Sequence, residues 1–215
     1  YLAHDLHAAG GMPAVMRQLL DGGYLDGTCL TVTGRSIAEN LQDRPWAGDQ
    51  DVILPAGQPH AAATSLVVLT GNLAPDGALA KADGLPDRCM TGTARCFDGE
   101  VAGLAALERG DVGDGDVLVI RYQGPKGGPG MPAILDLPAA LCGQGADGRI
   151  AVITDGCLSG MLRGPCVGHI GPEAALGGPI AMLRDGDRIT IDLAAGRIDM
   201  EVSDAELSAR QKDWQ

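Results

Sequence analysis

The chain has 215 residues, including 33 glycines and 13 prolines but only two tryptophans, three tyrosines and one phenylalanine, so its core must be largely aliphatic. The net charge of -12, without any basic run, excludes the electrostatic pattern of a nucleic-acid-binding protein. No apolar stretch reaches the roughly 18 residues of a membrane span. We therefore expect a soluble, cytoplasmic protein with no nucleic acid or membrane as partner. The six cysteines form no CxxC pair, which argues against a zinc or redox-dithiol site.

The first part of the chain is predicted to be helical. Apolar residues recur there at helical spacing, at Met12, Val15, Met16, Leu19 and Leu20, which predicts a helix over 12–21. A strand over 28–33 and a short helix over 36–41 are predicted next. The polar stretch 42–60 contains three prolines and is the best candidate for a linker. We therefore divide the chain into residues 1–45 and 46–215.

Short strands dominate the second part. Six segments show apolar runs or period-two alternation: 65–70, 89–94, 116–122, 149–154, 187–193 and 198–202. The last two predict a hairpin with one buried face. Three helices are also predicted: one over 98–109 capped by Asp98, one beginning at Pro132, and a terminal one with a capping box of Ser203 and Glu206. The predicted fold class is α+β, mainly a β barrel-like domain with flanking helices.

Four loops combine glycine with polar residues: 70–77 (TGNLAPDG), 124–132 (GPKGGPGMP), 154–160 (TDGCLSG) and 168–179 (GHIGPEAALGGP). Taken singly, each is more typical of a turn than of a site. Two of them directly follow predicted strands, where a rigid scaffold presents functional groups. Ser159 is the most suggestive residue, because a helix start near it would supply N–H groups that stabilise a negative oxygen.

The other polar candidates each have a structural interpretation beside the functional one. Lys126 could neutralise a substrate carboxylate or phosphate, although a solvated loop lysine is equally typical. Asp155 and Glu173 could cap helices or accept hydrogen bonds from loop amides, and Asp155 is the better site candidate because it adjoins Ser159. His169 is expected to be hydrogen-bonded structure before it is an acid or base.

Five segments, in order, carry a resemblance to a known family: GNLAPDG, IRYQGPKGGPGMP, ITDGCLSG, RGPCVGHIGPEAALGGPIA and DGDRITID. Together they resemble the C-terminal region of the dihydroxy-acid dehydratase and 6-phosphogluconate dehydratase family, which includes sugar-acid dehydratases. The resemblance runs from about His4 to Ala209 and covers the last third of a longer protein. It implies a C-terminal domain of the swivelling β/β/α type over 46–215. Residues 1–45 would then be the tail of the family's N-terminal domain plus a linker.

The resemblance implies a hydro-lyase that removes water from a 2,3-dihydroxy acid to give a 2-keto acid. In the family an iron–sulfur cluster takes the leaving hydroxyl and Mg²⁺ helps to hold the substrate. The remaining ligands of both cofactors belong to the missing N-terminal domain. We therefore expect neither cofactor on this chain alone, and we expect this chain alone to be inactive. The full protein is expected to be a homodimer. Ser159 matches the family's serine base in TDGxxSG. The candidate substrate-binding residues are Thr154, Asp155, Gly156, Gly160 and Lys126.

Two departures from the family pattern leave alternatives open. The metal-binding glutamate that follows GGPGMP in the family is Ala133 here, so this chain offers no metal ligand at that position, and the arginine common after TDG is Cys157. Ala133 is also compatible with a non-catalytic relative that acts as an interaction domain, and a stand-alone ligand-binding barrel is a weaker third alternative. The middle motifs favour branched-chain amino-acid biosynthesis, whereas HDLHAAGGMPAVMRQLL and the terminal DAELSARQKDW favour sugar-acid (aldonate or phosphogluconate) dehydratases.

Overall fold

A computed structural model describes residues 1–44, 49–59, 66–82, 89–128, 130–146, 148–158 and 164–214. The chain divides into two compact units, Tyr1–Ala63 and Thr64–Gln215. None of the helices in these described stretches has the length and apolarity needed to cross a membrane. The boundary predicted between residues 45 and 46 stays a prediction, because residues 45–48 lie outside the described ranges.

Over the ranges given above, unit 1 contains three short helices: α1 (Ala3–Ala8), α2 (Gly11–Asp21) and α3 (Ile37–Leu41). The helices predicted over 12–21 and 36–41 are confirmed by α2 and α3. Ser36 caps α3 because its hydroxyl accepts a hydrogen bond from the Glu39 amide (3.2 Å), while the Glu39 carboxylate accepts one from the Ser36 amide (2.7 Å). This reciprocal pair satisfies amides that a helix start otherwise leaves without partners.

The strand predicted over 28–33 is wrong. The hydroxyl of Thr31 donates to the carbonyl oxygen of Arg35 (2.8 Å), and the Thr31 amide donates to the same oxygen (2.9 Å). The side-chain amide of Asn40 donates to the hydroxyls of Thr31 (2.7 Å) and Thr33 (2.9 Å). Local side-chain hydrogen bonds of this kind compete with strand pairing, so the β-branched pattern here belongs to a folded loop.

The described residues of unit 2 contain ten strands. They are β1 (Leu66–Leu69), β2 (Gly77–Lys81), β3 (Cys89–Asp98), β4 (Asp116–Arg121), β5 (Ala133–Ile134), β6 (Ala151–Thr154), β7 (Cys157–Leu158), β8 (Cys166–Gly171), β9 (Arg188–Asp192) and β10 (Arg197–Met200). Eight of them form one sheet in the order β1-β2-β8-β6-β4-β3-β9-β10, and β5 pairs with β7 separately. The central strands β8, β6, β4 and β3 are parallel, and the flanking strands pair antiparallel.

The two edges of the large sheet meet at one point. The amide of Thr70 donates to the carbonyl oxygen of Gly196 (3.0 Å), and the amide of Ile198 donates to the carbonyl oxygen of Thr70 (3.1 Å). Thr70 thereby forms a parallel bridge with Arg197. The sheet is nearly closed, and together with the helices described next it confirms the predicted α+β class.

Helices and apolar side chains cover both faces of the sheet. Unit 2 adds α4 (Glu100–Arg109), α5 (Asp136–Gly143), a 3-10 helix (Ala174–Leu176), α6 (Pro179–Met182) and α7 (Asp204–Asp213). Along β4, Val117 and Val119 join the large core inside the sheet, while Leu118 and Ile120 join a second core beneath α4 and α5. A continuous apolar run is what a parallel strand covered on both faces requires.

The strand predictions are largely confirmed in unit 2. All six predicted segments contain strands, and the predicted hairpin pairs Ile191 with Ile198 and Ile189 with Met200. Strands β2, β5, β7 and β8 were not predicted. β2 and β8 contain glycine and lie beside or within the glycine-rich loops, where the turn signal obscures a short apolar alternation. β5 and β7 have two residues each, too few to show a periodic pattern.

Two helix starts differ from the predictions. Asp98 does not cap α4: it ends β3, and its carboxylate accepts a hydrogen bond from Arg121 (2.8 Å), while Gly99 precedes the helix with a positive φ of 97°. The helix predicted to begin at Pro132 begins at Asp136 instead, because β5 intervenes and pairs with β7.

The predicted capping box of α7 is only half present. The Ser203 hydroxyl accepts a hydrogen bond from the Glu206 amide (3.3 Å), as predicted. The Glu206 carboxylate, however, accepts from the guanidinium of Arg210 (2.9 Å), one turn further along the helix. Ser203 alone therefore caps the helix.

Candidate active site

All four glycine-rich loops lie at one end of the sheet. The parallel strands β4, β6 and β8 end there, and residues 122–128, 155–158 and 171–178 follow them. The fourth loop, 70–77, joins β1 to β2 at the same end, because Gly77 pairs with Gly171. The carboxyl ends of parallel strands are the usual place for a ligand site in such a sheet.

Asp155 joins three of these loop segments through its carboxylate. One carboxylate oxygen accepts a hydrogen bond from the amide of Gln123 (2.9 Å), and the other accepts from the amides of Tyr122 (3.2 Å) and Ala174 (2.8 Å). The side chain is only 2 % exposed. A buried carboxylate is stable when amide donors surround it, so Asp155 fixes the start of the 122–128 loop against the 171–178 loop.

Glu173 holds the tip of the 122–128 loop in the same way, by accepting hydrogen bonds from backbone amides. Its carboxylate accepts hydrogen bonds from the amides of Lys126 (3.0 Å) and Gly127 (2.9 Å). Gly124 lies so close that a Cβ there would be 2.6 Å from Oε2 of Glu173, so the position requires glycine. The prediction that Asp155 and Glu173 accept hydrogen bonds from loop amides is confirmed.

Thr154 and Gly156 hold the loop that follows β6, residues 155–158, in place. Thr154 is fully buried at the end of β6, and its hydroxyl accepts a hydrogen bond from the Gly156 amide (2.9 Å). Gly156 packs directly on Gln123: a Cβ at Gly156 would lie 2.6 Å from Cβ and 2.7 Å from the carbonyl oxygen of Gln123. The side chains of Thr154 and Asp155 therefore shape the loops, and their predicted contact with substrate stays a prediction.

The remaining polar candidates lie at the surface of this cluster. Lys126 is exposed at the tip of the 122–128 loop. His169 is also exposed, and its amide donates to the carbonyl oxygen of Gly156 (2.8 Å), so its backbone is part of the hydrogen-bonded structure. Lys126 thus places a positive charge at the surface of the described loops, and its predicted contact with substrate stays a prediction.

The two departures from the family pattern are neighbours in the structure. Ala133 of β5 is paired with Cys157 of β7, and Ile134 with Leu158. This two-stranded pairing connects the segment after GGPGMP with the TDGCLSG motif. Ser159 directly follows Leu158 in sequence, but Ser159 and Gly160 lie outside the described residues.

Tyr122, Gln123 and Trp214 were not predicted from the sequence. The amides of Tyr122 and Gln123 donate to Asp155, and the hydroxyl of Tyr122 accepts a hydrogen bond from the indole N–H of Trp214 (3.0 Å). For Tyr122 and Gln123, the position at the end of a predicted strand was the available signal. Within the described stretches, the non-glycine residues with positive φ are Tyr122, Met131 and His169, and all three belong to these loops or their flanks. Such backbone strain is frequent at functional sites.

The described residues do not form a ligand set for a metal or an iron–sulfur cluster. They contain no group of three or more His, Cys, Asp or Glu side chains placed to bind a metal ion. Asp155 and Glu173 are occupied by amide donors, and Ala133 carries no oxygen on its side chain. Burial raises the pKa of the Cys166 thiol to about 12, which disfavours the thiolate that binds metals.

Fold and site together define an α+β domain that presents glycine-rich loops, shaped by buried carboxylates, at one end of a nearly closed sheet. Sequence comparison identifies its family. Residues 51–215 match the family described as dihydroxy-acid/6-phosphogluconate dehydratase C-terminal, and residues 1–40 match the corresponding N-terminal family. The chain belongs to the dihydroxy-acid/6-phosphogluconate dehydratase family.

Curated relatives are similar over the whole of this chain. It is 52 % identical to dihydroxy-acid dehydratase 2 of Mesorhizobium japonicum, 51 % to dihydroxy-acid dehydratase 2 of Bradyrhizobium diazoefficiens and 52 % to dihydroxy-acid dehydratase of Parvibaculum lavamentivorans. Each alignment covers 100 % of this chain but only 36 %, 37 % and 38 % of those proteins, respectively. The chain thus spans a little over a third of the length of these relatives.

Proposed function

We propose that this chain is the C-terminal part of a hydro-lyase that converts a 2,3-dihydroxy acid into a 2-keto acid. The observation that carries the proposal is the identity of about 50 % along the whole chain to proteins named dihydroxy-acid dehydratase. We favour a branched-chain dihydroxy acid, as in branched-chain amino-acid biosynthesis, as the substrate. Aldonates and phosphogluconate are the alternative substrates.

We propose that Ser159 is the base that removes the proton from C2. The C3–O bond then breaks, the hydroxyl leaves as water after protonation, and the resulting enol tautomerises to the 2-keto acid. A serine hydroxyl is a weak base at its ordinary pKa, so nearby donors must stabilise the alkoxide. The Thr154–Gly156 segment, which is held rigidly just before Ser159, supports this assignment. The acid for the leaving hydroxyl would come from the N-terminal domain, where the resemblance also places the iron–sulfur cluster and Mg²⁺.

We propose that the candidate loops bind the substrate's carboxylate. Lys126 is exposed and supplies the positive charge, while Gly156 and Gly160 allow close approach to the backbone. Asp155 and Thr154 act by holding these loops, since their own side chains already have hydrogen-bond partners.

Unit 1 supports the proposal that an N-terminal domain completes the protein. Among its described residues, the core cluster of this unit has three buried members, Ala9, Ala14 and Ile53. In contrast, Val32 is fully exposed, and a groove of about 320 Å³ is lined mainly by apolar side chains of α2, α3 and the loop between them. So small a core cannot offset the entropy of ordering a unit of this size. We propose that the remainder of the N-terminal domain covers this groove.

The test is turnover by the full-length protein and its Ser159→Ala variant. We expect the variant to lose roughly 10²- to 10⁴-fold in kcat, the range that a general base contributes. Ser208→Ala, at an exposed position of α7, is the matched control and should keep full activity. Near-normal turnover by Ser159→Ala on every 2,3-dihydroxy acid tried would remove the serine from its proposed role. Branched-chain dihydroxy acids, aldonates and 6-phosphogluconate assayed in parallel, with 2-keto acid as the product measured, decide the substrate class.

The same assay tests whether this chain needs its proposed partner domain. We expect no 2-keto acid from the 215-residue chain alone and product from the full-length protein. Turnover by the chain alone would refute the proposal that the N-terminal domain completes the site.

A second candidate function is a non-catalytic interaction domain, and Ala133 is the observation that favours it. The residue is exposed, so Ala133→Glu fits without disturbing the core, and Ala139→Glu on α5 is a control with the same charge change. If the missing carboxylate matters, Ala133→Glu lowers the Mg²⁺ concentration for half-maximal activity by about tenfold, which corresponds to 1.4 kcal/mol, and Ala139→Glu does not. No turnover by the parent or by Ala133→Glu on any of these acids would favour the interaction domain.

The location, assembly and fold subtype also stay proposals. We propose a cytoplasmic homodimer, a C-terminal domain of the swivelling β/β/α type, and a boundary between residues 45 and 46. The homodimer and the fold subtype follow from the family resemblance, and the nearly closed sheet supports the fold subtype. The cytoplasmic location follows from the sequence, in which no apolar stretch is long enough to span a membrane. The boundary follows from the polar, proline-containing stretch 42–60 together with the resemblance.

A further inference from the structure

The C-terminal helix α7 is followed by a tryptophan that contacts two of the site loops. The indole N–H of Trp214 donates to the hydroxyl of Tyr122 (3.0 Å), at the start of the 122–128 loop. The same ring lies against Gly177 of the 171–178 loop, where a Cβ would be 3.0 Å from Cζ3 of Trp214. One side chain thus bridges, from outside, the two loops that Asp155 joins from within.

Helix α7 holds this tryptophan in a fixed place. The guanidinium of Arg210 donates to the carbonyl oxygen of Met182 (2.9 Å) and forms a paired contact with the carboxylate of Asp187. The Arg210 side chain is 10 % exposed and that of Asp187 is 13 % exposed. The amide of Trp214 continues the helix by donating to the Arg210 carbonyl oxygen (3.0 Å). These bonds attach α7, and with it Trp214, to α6 and to the residue that precedes β9.

Tyr122 needs such a contact because its backbone is strained. Its φ is 60°, in the left-handed region that non-glycine residues rarely adopt. The Asp155 carboxylate holds the backbone amide, and the bond to Trp214 holds the other end of the residue. Releasing the hydroxyl would let Tyr122 relax and displace the loop that carries Lys126.

We propose that Trp214 is a positioning residue, which keeps the 122–128 and 171–178 loops in the arrangement that binds substrate. The expected effect of Trp214 on turnover rests on the proposed function. The expected effect of Trp214 on the two loops does not. Nothing in it requires Trp214 to touch the substrate.

The test is a double-mutant cycle of Trp214→Phe and Tyr122→Phe in the full-length protein. Tyr122→Phe removes only the hydroxyl, whereas Trp214→Phe removes the N–H donor and also the part of the indole that contacts Gly177. We expect each single variant to raise KM by roughly two- to tenfold, the range of one neutral hydrogen bond, with less change in kcat. The double variant should be no worse than Trp214→Phe, because that variant has already lost the bond. Lys212→Ala, exposed on α7, is the control and should change neither constant.

Amide hydrogen exchange separates this proposal from the proposed function. Residues 122–128 and 171–178 should exchange faster in Trp214→Phe than in the parent, while β9 and β10 keep their protection and the melting temperature is unchanged. Unaltered exchange at both loops, or additive KM effects in the cycle, would overturn the positioning role. Inactive parent protein would refute the proposed function, and the exchange result would still decide the role of Trp214.

Discussion

The two buried carboxylates of the site act on the backbone rather than on other side chains. Asp155 accepts three amide hydrogen bonds and Glu173 accepts hydrogen bonds from two amides. An acidic residue beside a glycine motif is usually taken for a catalytic group, but here each carboxylate has the partners that its burial requires. Their role in the described structure is to set the loops' shape.

Replacing Asp155 with asparagine should destabilise the protein. The asparagine NH₂ group would face an amide donor in place of a carboxylate oxygen, and one buried N–H would lose its acceptor. We expect a loss of about 1–3 kcal/mol in the free energy of unfolding, measured by urea titration of the full-length protein. Asp76→Asn, at an exposed position of the 70–77 loop, is the control and should stay within about 0.5 kcal/mol of the parent. Equal stability of the two variants would contradict the assigned role of Asp155.

The ion pair between Arg210 and Asp187 is the most buried of the salt bridges that join helix α7 to the rest of unit 2 in the described structure. Burial raises the pKa of Asp187, but hydrogen bonds from the Arg210 guanidinium and the Arg184 amide outweigh burial and lower it overall. The bond to Asp187 correspondingly raises the pKa of Arg210. Since the carboxylate is favoured in the folded state, the ion pair stabilises the fold wherever Asp187 is ionised.

The attachment of α7 should therefore weaken in acid. Because the folded-state pKa of Asp187 lies below its ordinary value of 3.8, the stabilisation is complete above about pH 5 and is lost as the pH falls through the lowered pKa. We expect Asp187→Asn to cost about 1.5–3 kcal/mol at pH 7, and the difference from the parent to shrink below pH 4. Asp213→Asn, whose side chain is 75 % exposed, should show little difference at any pH. A constant difference for Asp187→Asn down to pH 3 would contradict the assignment.

For the whole molecule, the sequence predicted strands best where a strand is buried on both faces or forms a hairpin. The run DVLVIR of β4 and the alternation of β9 and β10 carry strong periodic signals, and the structure confirms them. The threonine-rich segment 28–33 carried an equally clear signal, but hydrogen bonds to Arg35 and Asn40 made it a loop. Local hydrogen bonds of this kind depend on particular polar side chains and not on apolar spacing, so periodicity alone could not reveal them.

The site, too, was predictable from the sequence only in part. The motif order identified the family, and the glycines at 124 and 156 occupy positions where a side chain would collide with a neighbour. The bridge from Trp214 to Tyr122 could not be predicted, because it joins residues that are 92 positions apart. The convergence of all four loops likewise depends on strand order, which alternating patterns do not encode.

The use of backbone amides as partners for Asp155 and Glu173 has a consequence for how such a domain diversifies. Every peptide unit except that of proline offers the same N–H, so the donors at Gln123, Lys126 and Ala174 survive replacement of their side chains. Substitutions at exposed positions such as Lys126 can therefore change the side chains that the loops present to solvent while the loops keep their path. A lineage can retain one loop architecture and vary its surface chemistry, provided Asp155, Glu173 and the close-packed glycines remain.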